Sequence, residues 1–261
     1  MKTGSFTKRF FARSAILGFL IALAAAPAGA QAPSGSFTYV FTNLPLWDAT
    51  GAYTNSFVSN GANNDQIVNF AQDAKGKLTG TYNNIITESG MTIDVTGSIS
   101  GKVLSKGGVT GATLKLVNAS FSGAASGPAK GGGILAIDQS TSTINNTYSL
   151  RLCITGRGCE TFTGTVGFAL PADMTGDWTL DTTISATGTK LSGTATLTLS
   201  NGRVLNYNVV GAYNAKTTQS KLKLIGTGDA VGTSLSLVTT GSSMGLTSLK
   251  GKVLGQTPTL P

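Results

Sequence analysis

The stretch Lys190-Leu-Ser-Gly-Thr-Ala-Thr-Leu-Thr-Leu-Ser200, then Asn201-Gly202, then Arg203-Val-Leu-Asn-Tyr-Asn-Val-Val-Gly-Ala-Tyr213 decides the fold class. In the first arm Leu191, Gly193, Ala195, Leu197 and Leu199 share one face, and Ser192, Thr194, Thr196 and Thr198 share the other. A period of two is the pattern of a strand with one buried side. Asn201-Gly202 is a hairpin signal, because both residue types tolerate the positive φ that a type I′ turn requires. The return arm sets Leu205, Tyr207, Val209 and Gly211 on one face. Residues 221–226, 233–239 and 246–254 repeat the theme between Gly-rich or polar turns, as consecutive hairpins do. The expected fold is all-β: an antiparallel meander closing as an up-and-down barrel or a sandwich. Residues 66–75 are the single, short helical candidate.

Laying the chain on itself suggests that this pattern occurs twice. Leu78-Thr79-Gly80-Thr81 parallels Leu191-Ser192-Gly193-Thr194, and Val95-Thr96-Gly97-Ser98 parallels Val209-Val210-Gly211-Ala212. Ala112-Thr113-Leu114-Lys115-Leu116 parallels Ser220-Lys221-Leu222-Lys223-Leu224. The matches keep their order at offsets of about 108 to 114 residues, the mark of a diverged duplication. Gly35-Ser36-Phe37-Thr38 is paired in the same way with Gly176-Asp177-Trp178-Thr179. Shared Thr, Gly and Leu content is the competing explanation. The expected division is a β unit one over residues 31–170 and a β unit two over 171–261, parting at Leu170-Pro171, where proline disfavours a central strand. Unit one then carries two additions: an aromatic and Asn-rich stretch at 43–73, and residues 124–133, whose Gly-Pro-Ala-Lys-Gly-Gly-Gly reads as a mobile loop.

The first thirty residues have the three parts of a signal peptide: basic Lys2, Lys8, Arg9 and Arg13, an apolar run at 15–26, and small residues ending in Ala28-Gly29-Ala30. Cleavage is expected before Gln31, which sends the chain to the periplasm, the cell surface or the medium of a bacterium. The remaining chain loses four of its basic residues and no acidic one, so its net charge falls from +8 to +4. That field is too weak, and its Lys and Arg too scattered, for nucleic-acid binding. Cys153 and Cys159 flank a Gly-containing turn and are expected to form a disulfide after export.

The chain has no histidine, so the usual general base and transition-metal ligand are missing. Asp173, Asp177 and Asp181 read as turn and surface acids, and Asn63-Asn64-Asp65 and Asp138 with Asn145-Asn146 lack the alternation of a calcium loop. The expectation is no catalytic site, no metal and no cofactor. Trp178 reads as core beside Leu180. Trp47, Tyr53 and Phe57 read either as a cluster covering the sheet or as an exposed stacking surface, and they are the candidate binding residues.

Three functions fit. The leading one is an exported, non-enzymatic envelope or surface protein, structural or adhesive, whose partners would be copies of itself or cell-surface components. The second is a barrel that carries a small apolar ligand. The third is an outer-membrane β-barrel, which places the chain in a membrane and asks for aromatic girdles that a 7% aromatic content supplies poorly.

Overall fold

A computed structural model describes residues 31–41, 47–106, 109–138, 143–154, 158–169 and 177–258. The expected signal peptide and the Leu170-Pro171 boundary lie outside them. The described chain is all-β, arranged as two curled antiparallel sheets. The eight-stranded sheet is a plain meander of β2 (Gly51–Ser59), β3 (Ala62–Gln72), β4 (Lys77–Glu88), β5 (Met91–Lys106), β6 (Val109–Gly123), β7 (Gly127–Asp138), β8 (Thr143–Ile154) and β9 (Gly158–Ala169). The seven-stranded sheet begins with β1 (Gly35–Phe41) and continues through β10 (Trp178–Thr187), β11 (Lys190–Thr198), β12 (Val204–Asn214), β13 (Gln219–Thr227), β14 (Ser234–Thr240) and β15 (Gly245–Gly251).

The repeat is visible in the pairing register. Leu78 of β4 faces Gly101 of β5, which faces Leu114 of β6. Leu191 of β11 faces Gly211 of β12, which faces Leu222 of β13. In both sheets a glycine two residues after the leucine lets the neighbouring backbone come close. A Cβ on Gly80 would meet the Asn69 carbonyl oxygen at 1.8 Å, and one on Gly193 the Thr183 carbonyl oxygen at 1.9 Å. Register therefore matches β3–β6 with β10–β13, and the partner of Gly211 is Gly101, where sequence comparison had aligned Gly97.

The first strand also has a different counterpart from the one expected. Gly35 of β1 faces Ile184, as Gly51 of β2 faces Phe70, so β1 holds in the seven-stranded sheet the place β2 holds in the eight-stranded one. Gly35-Ser36-Phe37 corresponds to Gly51-Ala52-Tyr53, not to residues 176–178. The seven-stranded unit is thus discontinuous in sequence, with the whole eight-stranded unit lying between its first and second strands. Residues 43–73, read as an addition to unit one, contain its integral strands β2 and β3.

Three local expectations are corrected. Residues 66–72 are strand, because inward Gln66, Val68, Phe70 and Gln72 alternate with outward Ile67, Asn69 and Ala71, and that period overrides helix propensity. Residues 127–133, read as a mobile loop, open β7: Pro128 sits at the strand start, where a missing N–H is tolerated, and the glycines pair on both sides. The Asn201-Gly202 hairpin forms, but as a three-residue loop. Gly202 alone takes positive φ (80°), while Asn201 Oδ1 accepts from the Arg203 N–H at 3.1 Å.

The two units meet through buried polar contacts. The Gln256 side chain accepts from the Trp47 N–H at 3.0 Å and donates to its carbonyl at 2.8 Å, while Gln72 Nε2 donates to the Leu254 carbonyl at 3.0 Å. Asp48 accepts from Asn201 Nδ2 at 3.1 Å and from Arg203 Nη1 at 3.0 Å. Burial raises the Asp48 pKa, but the bonds from Arg203 and Thr50, with the Arg203 charge, outweigh it and hold the carboxyl below its ordinary value.

Candidate functional site

The seven-stranded unit fills its own interior. Leu180 faces Leu197, which faces Leu205, and Ala195 faces Tyr207; all five are buried, Leu197 and Leu205 completely. Leu235 and Leu237 of β14 close the same core against Leu224 and Leu222. Trp178 stacks on Phe41 with ring centroids 4.8 Å apart, the core role expected for it. Two buried polar atoms there, Trp178 Nε1 and Ser220 Oγ, have no hydrogen-bond partner, and the Tyr207 hydroxyl has Thr233 beside it.

At the matching positions the eight-stranded unit is built differently. Gln66 and Asn84 stand where Leu180 and Leu197 stand, and Tyr82 with Gly97 replaces Ala195 with Tyr207. Gly131 and Gly133, facing Leu116 and Leu114, hold the places of Leu235 and Leu237. Replacing leucines by glycines and amides leaves room that no neighbour collapses into. The result is a partly enclosed cavity of about 80 Å³ inside the curled sheet, mostly apolar and lined among others by Trp47, Tyr53, Val68, Phe70, Ile99 and Leu135.

The candidate binding residues converge on this cavity, facing inward and not to solvent. Trp47 and Tyr53 are buried and Phe57 half-buried, so the exposed-platform reading is corrected. The Tyr53 ring meets Phe70 edge-on at 5.6 Å, and Phe57 meets Tyr148 at 5.9 Å. Tyr148 Oη donates to Ser59 Oγ at 2.9 Å, and Asn55 Nδ2 reaches the Gly167 carbonyl at 3.5 Å. These contacts bring β2 against β8 and β9 and curl the sheet toward a barrel, although β2 and β9 share no ladder.

The polar groups of the cavity were missed from sequence, since an inward Asn on a strand reads as a surface residue. Their orientation follows from one fixed point. The Ala62 carbonyl can only accept, so the amide of Asn64 that bonds it at 3.1 Å is Nδ2. Asn64 Oδ1 then accepts from Asn84 Nδ2 at 3.0 Å, which leaves Asn84 Oδ1 facing the interior with no donor. Gln66 Oε1 and Asn146 Oδ1 are likewise buried without a partner, as is Trp47 Nε1. Exposure of these residues is 2% for Asn84, 7% for Gln66, 8% for Asn146 and 3% for Trp47. The Tyr82 hydroxyl stands beside Gln66 and Asn84. Burial pushes its pKa up, only partly offset by those amides, so it remains a neutral donor.

Elsewhere, the acids and amides that lie close together in the sequence are not gathered into a site. Asn63 and Asp65 point outward from β3 while Asn64 points inward, which prevents joint chelation; Asn145 and Asn146 split in the same way. Asp177 and Asp181 are exposed, and Asp181 accepts from Thr38 Oγ1 at 2.5 Å; Asp173 lies outside the described residues. Among the described residues no group of three or more potential metal ligands occurs, and no helix is long and apolar enough to cross a membrane. Cys153 and Cys159 form the expected disulfide between directly opposed residues of β8 and β9. The chain matches no protein-family model, no curated protein and no solved structure.

Proposed function

We propose that this chain is an exported, non-enzymatic binding protein whose eight-stranded unit holds a small, mostly apolar ligand, with the seven-stranded unit as its stabilising partner. The observation that carries this reading is the paired difference between the two interiors. Positions filled by Leu180, Leu197, Leu235 and Leu237 in one unit are Gln66, Asn84, Gly131 and Gly133 in the other, at the same places in the register. Such replacements forfeit packing energy, of the order of 2–5 kcal/mol for each large-to-small change in a core. A cavity lined by aromatic rings and a few convergent polar groups is the usual form of a small-molecule site.

Export is supported by the N-terminal pattern and is compatible with the disulfide. An outer-membrane placement is disfavoured by the outward faces, which carry Lys77, Thr79 and Thr81 on β4 and Lys190, Ser192 and Thr194 on β11 where a lipid-facing band needs apolar side chains. The structural or adhesive reading is supported by composition, by the two similar units and by the absence of a catalytic constellation in the sequence, whereas the ligand reading is supported by a cavity. Calorimetric titration of the processed protein with toluene tests it, together with native mass spectrometry of protein taken from the exported fraction. Saturable binding of toluene, or a co-purified small molecule, supports the reading; a dry, unresponsive cavity in both experiments overturns it.

A further inference from the structure

Building on the ligand-binding reading above, we infer that the cavity of the eight-stranded unit selects a neutral, single-ring ligand that donates hydrogen bonds, a phenol or cyclic alcohol, through Gln66 Oε1, Asn84 Oδ1 and Asn146 Oδ1. Three buried acceptors without donors line one mostly apolar space. A buried acceptor left unpaired is costly, so such groups mark where a partner binds. The Tyr82 hydroxyl has one proton and satisfies at most one of the three. At least two acceptors therefore stand open to an occupant, of which a single ligand hydroxyl satisfies one.

The surroundings define the remainder of that molecule. No carboxylate, arginine or histidine lines the cavity, and its one lysine, Lys115, is exposed, so neither a cation nor an anion finds a buried counter-charge. Trp47, Tyr53, Phe57, Phe70 and Tyr148 present ring surfaces, which favours a flat apolar body. At about 80 Å³ and partly open, the space is small beside the roughly 150 Å³ of a cavity that takes benzene, which favours a single ring over a fused polycycle or an acyl chain. Asn84 is fixed by Asn64, and Asn146 fits because Gly133 has no Cβ, which would stand 2.3 Å from Asn146 Oδ1. Asn84 is thus held in place before the ligand arrives, and Asn146 has room to turn inward.

Calorimetric titration of the processed full chain with phenol and, separately, with toluene tests this. An apolar cavity takes toluene more tightly than phenol, because the hydroxyl loses its water contacts without recompense. The expected result is the reverse, phenol binding about tenfold more tightly than toluene. Asn84→Leu, which installs the residue found at the matching Leu197, should abolish that preference, with circular dichroism confirming the fold. If toluene binds as tightly as phenol to the unaltered chain, the donor requirement is wrong while the ligand-binding reading stands. If neither binds, the single-ring inference is wrong, and the ligand-binding reading falls with it only where native mass spectrometry of the exported protein also finds no small molecule. The comparison of the two probes on the unaltered chain decides the matter even where Asn84→Leu does not fold.

Discussion

Exchanging the matched residues Asn84 and Leu197 between the two interiors tests the central comparison. Leu197 is fully buried between Leu180 and Leu205. Leu197→Asn removes apolar burial worth about 1.5–3 kcal/mol and leaves an amide in apolar surroundings at a further cost of about 1–3 kcal/mol. The expected loss is about 2.5–6 kcal/mol, a large part of an ordinary domain's stability. Asn84→Leu behaves differently. It deprives Asn64 Oδ1 of its donor but also removes the orphaned Asn84 Oδ1, so two polar costs of about 1–3 kcal/mol offset each other. What remains is new apolar burial beside a cavity with room for it, a gain of about 1–2 kcal/mol. Guanidinium unfolding followed by tryptophan fluorescence separates the units, because Trp47 belongs to one and Trp178 to the other. Each substitution is compared within a Trp47→Phe or Trp178→Phe background that leaves one indole. A loss below about 1 kcal/mol for Leu197→Asn, or a larger loss for Asn84→Leu than for Leu197→Asn, refutes the claim that one interior is filled and the other is built to be occupied.

Replacing Cys153 and Cys159 together by serine opens a loop with a sequence separation of 6 and should lower stability by about 2 kcal/mol on the chain-entropy account, measured as the shift of the Trp47 unfolding transition with m unchanged. Asp48 contributes a pH dependence whose sign is set by its lowered pKa. Its stabilisation is present above the ordinary carboxylate value and is lost as pH falls through the lower folded-state value. In acid titrations of thermal stability, Asp48→Asn should therefore flatten the decline below about pH 4 and lower stability at pH 7, where Arg203 loses its partner; an unchanged acid limb would show that the Asp48–Arg203 junction does not couple the units.

How much of this was legible in the sequence depended on whether a signal was local. Strand alternation in β11, β12 and β13 could be read directly, because inward apolar or small residues alternate with outward ones that are mostly polar. The disulfide was legible for the same reason, since the five residues between its cysteines include two glycines that bring its ends together. The Asn-rich inward face of β3 and the glycines of β7 were not. Their burial depends on strands that pair across the sheet, and residue identity alone assigns Asn64, Gln66 and Gly131 to surfaces and turns. The place of β1 was illegible in principle. Its seven residues pair with β10, more than a hundred positions away, and nothing local distinguishes that partner from β2.

That long-range pairing also accounts for how a hollowed unit is sustained. Because β1 and β10 belong to the filled unit and enclose β2–β9 in sequence, the chain enters and leaves the eight-stranded sheet from the seven-stranded one. The polar junction lies where they meet. Gln256, Gln72 and Asp48 are almost fully buried there, and Trp47, whose backbone Gln256 holds at both its N–H and its carbonyl, also lines the cavity. A wall residue of the cavity is therefore positioned by the C-terminal segment of the other unit. Loss of the Gln256 contacts, as in Gln256→Ala, would free the Trp47 backbone and reach the cavity without altering any residue inside the eight-stranded sheet, so the filled unit supports the hollow one through geometry as well as through stability.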